Sequence, residues 1–586
     1  MWTRSRRKPA PRTRIWRTAL ATALLLTTTI IRGAAGAADA EVNADAVWDG
    51  GKQKGYEYAL EDELGGMQIQ QAGYFAERLE ARAVEYTALT LNTTLNYDLS
   101  SGTSSLWRYK PSDDDDDDDD ADFFAVYVSV CSQPSLVNDT DETTEEEYLS
   151  DLTLRLQATS STKSTMSFST ESSIDYNETV DYGFAAATWD DGYDNIFINI
   201  TTPEYDSSKW SGTWTIQLLA TTASNVTAGY SNTSSVFLLD TDYDSALFLT
   251  AKTPDNGTAA DDDIRPYRLY VYPNDTTSLT GLNRSYCAVR DGGYTFSDED
   301  ADVNTTNVLW DDYTRETMHL KGLAAATTYT AYLAQPDESV SGIGVIYPSI
   351  SFTTKKNSTC QIIYNLDFCV EVAYSAPSNS SMSMNALKNW YDDTAKSLYD
   401  GFNKSMQLTP CDVSDEDRYS LMRTCDQCLE AYRRWLCLTL IPRCFDDTGV
   451  YALPVSTTGS YEGGWEHVPV NGTALRSAGE SRNDMINNEL KPESYIELQP
   501  CSYTCHKVMQ NCPVGLTFQC PSPDKGLYDV YGRVNANVSN GDIFMLENAT
   551  CNFLGYVDKF GAASGRGLDV RVVVGVACIS GILLLL

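Results

Sequence analysis

The chain has 586 residues, 42% of them hydrophobic, which is enough for several domains with cores of their own. Its formal net charge of −38 excludes nucleic acid as a partner and disfavours direct adhesion to anionic lipid. With three histidines, His319, His467 and His506, and no G-x-S-x-G, H-E-x-x-H or P-loop pattern, it offers no enzyme signature.

The chain opens on an address. Arg4, Arg6, Arg7, Lys8, Arg12, Arg14 and Arg17 form a basic start, Ala19 to Ile31 a short apolar run, and Ala35-Gly36-Ala37 a small-residue cleavage site. This is a secretory signal peptide over 1–37. Its removal takes eight basic residues away, so the mature chain carries about −46 (−38 minus 8). Sixteen Asn-x-Ser/Thr sequons agree: Asn92, Asn138, Asn177, Asn199, Asn225, Asn232, Asn256, Asn274, Asn283, Asn304, Asn357, Asn379, Asn403, Asn471, Asn537 and Asn548. Together they point to a glycosylated surface and an oxidising lumen, where cysteines form disulfides and not zinc sites.

The stretch 38–235 is expected to be a β-sandwich or jelly roll, preceded by one surface helix over about 67–87 that carries Tyr74, Phe75, Leu79, Ala83 and Tyr86. Asp113 to Asp120 is an uninterrupted acidic run, expected to be a solvated loop. From Phe123 onward FFAVYVSVC, LTLRLQATS, NIFINITT, GTWTIQLLATT and SVFLLD alternate, rich in β-branched and aromatic residues and separated by turn clusters. A second sandwich follows over 236–356. There YRLYVYP, TMHLKGL, TTYTAYLAQ and SISFTT resemble the last strands of a fibronectin type III domain. Asp240, Asp242 and Asp244 imitate the start of a calcium-binding EF-hand loop. Ser245 and Ala251 stand where the turn glycine and bidentate glutamate would be, so the expectation is an acidic turn between strands. Cys131 and Cys287 are the only thiols of this β-rich part, either paired across the two sandwiches or buried.

The segment 357–555 carries twelve cysteines, an even number that implies six bridges. An amphipathic helix is expected over Asn385 to Met406, with Leu387, Tyr391, Leu398, Phe402 and Met406 in its stripe. Ser414 and Asp417 form a capping-box pattern for a second helix, along which Leu421, Cys425, Cys428, Tyr432 and Trp435 share one face until Pro442 stops it. Cys425 and Cys428, at i and i+3, are poorly placed to bridge each other and so reach two different elements. Pro500 suits the first position of a third helix, with Cys501 and Cys505 one turn apart. Thr448 to Gln499 shows no period and is expected to be irregular. The C-terminus carries small Ala562, Ala563, Ser564 and Gly565, a polar spacer, and the apolar run Val572 to Leu586. That is a GPI-attachment signal over 562–586, or else a tail helix.

The cysteine motifs carry a resemblance. CQIIYNLDFC, CLEAYRRWLC, CLTLIPRC and CSYTCHKVMQNC resemble a frizzled-type cysteine-rich domain, and with FQCP they resemble one family in particular. That family is the fungal stretch-activated calcium-channel regulatory subunits, of the mating-pheromone-induced-death type. The cysteine-rich partner of the animal sodium-leak channel is similar. The resemblance implies the pairs Cys360–Cys444, Cys369–Cys437, Cys428–Cys512, Cys501–Cys551 and Cys505–Cys520, with the extra Cys411 and Cys425 joined to each other. It implies two sandwiches followed by a mainly helical, disulfide-rich frizzled-like domain, without catalysis, cofactor or metal. The implied role is an extracellular auxiliary subunit bound to the pore-forming subunit of a voltage-gated-like calcium channel at the plasma membrane. The alternative is a GPI-anchored surface sensor or adhesin for wall glycan or lipid. For the partner-binding surface, Arg433, Arg434 and Arg443 beside Trp435 are expected to be exposed on a helical face poor in sequons.

Overall fold

The computed structural model describes residues 85–554, apart from 112–122, 138–143, most of 164–173, 191–192, 253–265, 307–313, 447–472, 533–550 and a few single positions. The signal peptide, the aspartate run, the C-terminal signal and the sequons Asn138, Asn256, Asn471, Asn537 and Asn548 lie outside the described residues. So does the helix expected over 67–87, except its end, where Thr87–Ala88 is a short strand.

Alternation of apolar and polar residues builds the first sandwich. In Trp214–Thr221 the residues Trp214, Ile216, Leu218 and Ala220 all point inward and are buried. This strand lies between Thr94–Leu99 and Phe124–Ser132, both antiparallel to it, and Phe184–Trp189 completes the sheet. The opposing sheet runs in the order Thr87–Ala88, Ser104–Tyr109, Asn195–Thr201, Arg155–Ser161, Tyr176–Thr179. Ile196, Ile198 and Ile200 from its central strand meet Val126, Val128 and Val130 in one core. Emptying any of these positions to alanine would cost about 2–5 kcal/mol, because a packed interior collapses only partly around the gap.

The second sandwich pairs Val236–Thr241, Ser245–Lys252, Arg315–Lys321 and Ala301–Thr306 in one sheet. The other sheet centres on Thr328–Pro336 beside Arg268–Pro273. In the first of these sheets the strands VFLLDT and SALFLTAK are apolar at successive positions, not alternate ones, because both faces of that sheet are covered. Val236, Leu238, Ala246 and Phe248 face the sandwich interior. Phe237, Leu239, Leu247 and Leu249 face Ile362, Tyr364 and Ala373 of the cysteine-rich segment.

That segment combines three longer helices with short sheets. Met384–Met406 starts at Ser383, whose hydroxyl accepts from Ala386 N. Cys425–Leu440 and Ser502–Asn511 are the other two. Two sheet pieces, Cys360–Ile363 with Tyr374–Pro377 and Arg443–Asp446 with Tyr495–Leu498 and Thr473–Arg476, tie the helices to the sandwich. The expectation of an irregular 448–499 is thereby corrected for its described part. Two four-residue strands and a turn over Ile486–Leu490 occupy it, the turn anchored by fully buried Ile486 and Leu490. Among the described residues no helix is long and apolar enough to cross a membrane.

The sandwiches are joined to each other as well. Cys131, at the end of strand Phe124–Ser132, bridges Cys287 in the short helix Tyr286–Asp291 of the second sandwich. Tyr270, Tyr272, Tyr286, Val289 and Tyr332 of the second sandwich belong to the same apolar core as the first. Replacing Cys131 and Cys287 together by serine is expected to cost about 2–5 kcal/mol, since the bridge closes a loop spanning 156 positions. Thermal unfolding of the variant, followed by circular dichroism, checks this as a lowered midpoint with an unchanged native spectrum.

Candidate functional site

The cysteine-rich helices are held by six of the seven bridges in the structure: Cys360–Cys444, Cys369–Cys437, Cys411–Cys425, Cys428–Cys512, Cys501–Cys551 and Cys505–Cys520. Cys425–Leu440 starts at Thr424, not at Ser414. Gln427 N donates to Thr424 Oγ1 and Thr424 N to Gln427 Oε1, both at 3.2 Å, a complete capping box. Ser414 instead donates to Asp417 at 3.0 Å within a separate turn. Pro500 likewise precedes its helix without opening it. Cys501 is the cap residue, fixed by its bridge and by a 2.9 Å bond from its N–H to Asn552 O. Asp392, on the Met384–Met406 helix, accepts from the N–H groups of Asp367, Phe368 and Cys369 at 2.8–3.0 Å and so shapes the loop that presents Cys369.

A buried ionic cluster lies where this segment meets the second sandwich. Asp240 sits at the end of strand Val236–Thr241 and is closed to solvent. One of its carboxylate oxygens is 2.8 Å from Lys355 Nζ and the other 2.7 Å from Arg443 Nε. Lys355 is fully buried, and it also donates to Thr241 O. Arg443 also donates to Leu239 O and lies over the rings of Tyr374 and Phe445. Burial alone would raise the Asp240 carboxyl, but Lys355 and Arg443 more than offset it and hold it below the ordinary range. Burial lowers Lys355, while Asp240 pulls it back up. With two cations on one carboxylate, the ionised Asp240 is the fixed point of the cluster.

Asp242, two residues on, accepts from Ser245 Oγ at 2.7 Å and from Ile362 N of the cysteine-rich segment at 3.1 Å. Its carboxyl is raised by burial. His319 completes the group, with Nε2 2.9 Å from Ser245 Oγ and Nδ1 without a partner. Burial pushes this imidazole down to about 4, so it stays neutral near pH 7. The acidic turn expected between strands is present, with Asp242 to Asp244 joining the antiparallel strands Val236–Thr241 and Ser245–Lys252, but Asp240 and Asp242 are buried and committed to protein partners. Among the described residues no group of three or more His, Cys, Asp or Glu side chains is arranged to hold a metal ion.

The residues expected on an exposed docking face part company. Arg443 is inside the cluster, because its neighbour Cys444 bridges Cys360 and draws the strand under the sheet; its expected exposure is corrected. Arg433 is only 15% exposed, paired with Glu371 at 3.0 Å and Glu430 at 2.8 Å, and it donates to Phe368 O. Trp435 is half-buried, and its indole N–H donates to Tyr531 Oη at 2.8 Å. Arg434, at 38% exposure, remains at the surface while pairing with Glu371 and Glu430. It lines a groove between the Cys425–Leu440 and Ser502–Asn511 helices, together with Arg423, Lys507 and Tyr503.

The sequons also differ from one another. Asn92, Asn177, Asn225, Asn232 and Asn274 are exposed, and Asn283, Asn304, Asn357, Asn379 and Asn403 half-buried. Asn199 is buried in a central strand, and its Nδ2, the atom a glycan would need, donates to Gln157 Oε1 at 2.9 Å. Its place among the expected acceptors is corrected on that ground.

The family described as "Mid1: Stretch-activated Ca2+-permeable channel component" matches residues 125–557. The chain belongs to that family. The match takes in the first sandwich from Ala125 onward, the second sandwich, the ionic cluster and the bridged helices, and leaves out the strands Thr87–Ala88, Thr94–Leu99 and Ser104–Tyr109. The "Stretch-activated cation channel yam8" of Schizosaccharomyces pombe is 36% identical over 310 residues, covering 52% of this chain and 59% of that protein. The "Stretch-activated cation channel MID1" of Saccharomyces cerevisiae is 32% identical over 353 residues, covering 55% and 59%. A protein of the same printed name from Cryptococcus neoformans var. grubii is 26% identical over 242 residues, covering 38% and 37%. The chain thus spans about three fifths of the length of the first two relatives.

Removing one member of a buried ion cluster leaves uncompensated charge, which costs more than the cluster contributes. Asp240→Asn is expected to destabilise the protein by about 3–5 kcal/mol, leaving Lys355 and Arg443 facing each other. The triple change Asp240→Leu, Lys355→Met, Arg443→Met should recover much of that loss. Denaturant unfolding of the two variants beside the parent decides the order.

Proposed function

We propose that this chain is a non-catalytic extracellular auxiliary subunit of a voltage-gated-like calcium channel, and that it supports calcium influx under stretch or stress. The family match over residues 125–557 carries the reading. Its physical support is the use to which the structure puts its charged and sulfur groups. The Asp240 carboxylate is saturated by two cations and closed to solvent, as in a structural clamp. The cysteines described are joined in seven bridges, which persist in an oxidising compartment. In this reading 38–235 and 236–356 are scaffold sandwiches and 357–555 is the frizzled-like cysteine-rich domain. The chain is secreted and glycosylated, and it is held at the outer face of the plasma membrane by a GPI anchor or an apolar tail. Its partner is the pore-forming subunit.

Affinity purification of the full chain from detergent-solubilised membranes, read by mass spectrometry, is expected to recover a large polytopic channel subunit. Recovery of wall glycan or lipid with no channel subunit overturns the reading in favour of a surface sensor or adhesin.

A further inference from the structure

The groove between the two bridged helices has a volume of about 210 Å3 and is lined by three cations and one carboxylate. Arg423, Arg434 and Lys507 stand on its rim against the single carboxylate of Glu430, in a protein of net charge −38. Arg434 is set in place from behind. Its guanidinium is 2.7 Å from Glu371 Oε1, and its Nε is 2.9 Å from Glu430 Oε1 without a well-directed hydrogen bond, so that contact is ionic. Lys507 Nζ lies 4.9 Å from the centre of the Tyr503 ring, and Tyr503 in turn is 6.1 Å from Phe553. The groove is also lined by the apolar side chains of Ala431, Leu438 and Leu554, all buried.

We propose that this groove receives a short acidic segment of a partner protein, in which a carboxylate stands beside an apolar or aromatic side chain. The proposal rests on the channel-subunit reading and names the chemistry of the contact. A cationic rim over an apolar, aromatic lining needs a ligand that answers both. Guanidinium and ammonium groups held in fixed positions bind a carboxylate through charge-assisted hydrogen bonds. The chain's own run Asp113–Asp120 would satisfy the rim, but it has no apolar side chain for the lining. An anionic bilayer would meet the net negative charge of the whole chain at close range, which a single peptide segment does not. Attraction confined to one cleft of an otherwise repelling molecule also fixes orientation during encounter.

The test places a photo-crosslinking amino acid at Asn511, which lines the groove, in the full chain within its native membrane. The expected product is a crosslink to an extracellular peptide of the co-purifying channel subunit, with Asp or Glu next to an apolar or aromatic residue. Arg423→Glu with Lys507→Glu should lower the yield about tenfold, at unchanged surface amount and unchanged disulfide map. If that variant fails to reach the surface, Arg423→Gln with Lys507→Gln supplies the comparison and should show a smaller loss. Crosslinks to lipid, to residues 113–120 or to nothing, while the channel subunit still co-purifies, overturn the groove proposal and leave the channel reading standing. Absence of any channel subunit from the purification overturns both.

Discussion

Asp240 is one carboxylate shared by two cations that arrive from distant parts of the chain. Lys355 is 115 positions away and Arg443 203. All three side chains are at or near zero exposure, so none can relax into water if another is withdrawn. The cluster therefore fixes how the second sandwich meets the cysteine-rich segment. The apolar packing around it follows the same line. Phe445 and Leu498 of the segment enter the sandwich core from one side of the sheet, and Ile362 and Tyr364 cover its other side. The Cys360–Cys444 bridge then locks together the strands that carry Ile362 and Phe445.

The first sandwich is joined to this assembly by a shared core and by Cys131–Cys287. Sandwich, sandwich and bridged helices thus form a chain of stiff contacts, each made of covalent or fully buried interactions. A load carried across it meets disulfides and packed cores, not an exposed polar seam. The helices at the far end keep their polar groups nearer the surface. There Arg434 and Glu430 of the Arg433–Arg434–Glu371–Glu430 network reach the surface beside the groove.

Much of this was legible in the sequence, and the failures have physical causes. Alternation in Phe124–Ser132 and Trp214–Thr221, and the three-to-four spacing in Met384–Met406, are local signals that report a buried face directly. The capping box read at Ser414 and Asp417 was not the one the helix uses. Thr424 with Gln427 prevailed because it stands immediately ahead of the apolar period, whereas Ser414 closes a turn of its own. Strands TALR and YIEL are too short, and too mixed with charge, to show a period. Arg443 was misplaced at the surface, and the burial of Asp240 was not legible, for one shared reason. Each charge looks solvated until its partner, more than a hundred positions away, is brought beside it. The bridge that does so leaves no local mark except the cysteine next to Arg443. Cys131 and Cys287 showed the same limit: pairing across the two sandwiches was one of two readings the sequence left open, and only the fold decides for it.

The central claim is that the ionic cluster makes the second sandwich and the cysteine-rich strands a single cooperative piece. Native-state hydrogen exchange of the unmodified protein across a denaturant series tests it most directly. Amides of Val236–Thr241, Cys360–Ile363 and Arg443–Asp446 are predicted to share one opening free energy and one denaturant dependence. If Arg443–Asp446 opens at lower denaturant while Val236–Thr241 stays protected, the two parts are separate units and the account is wrong.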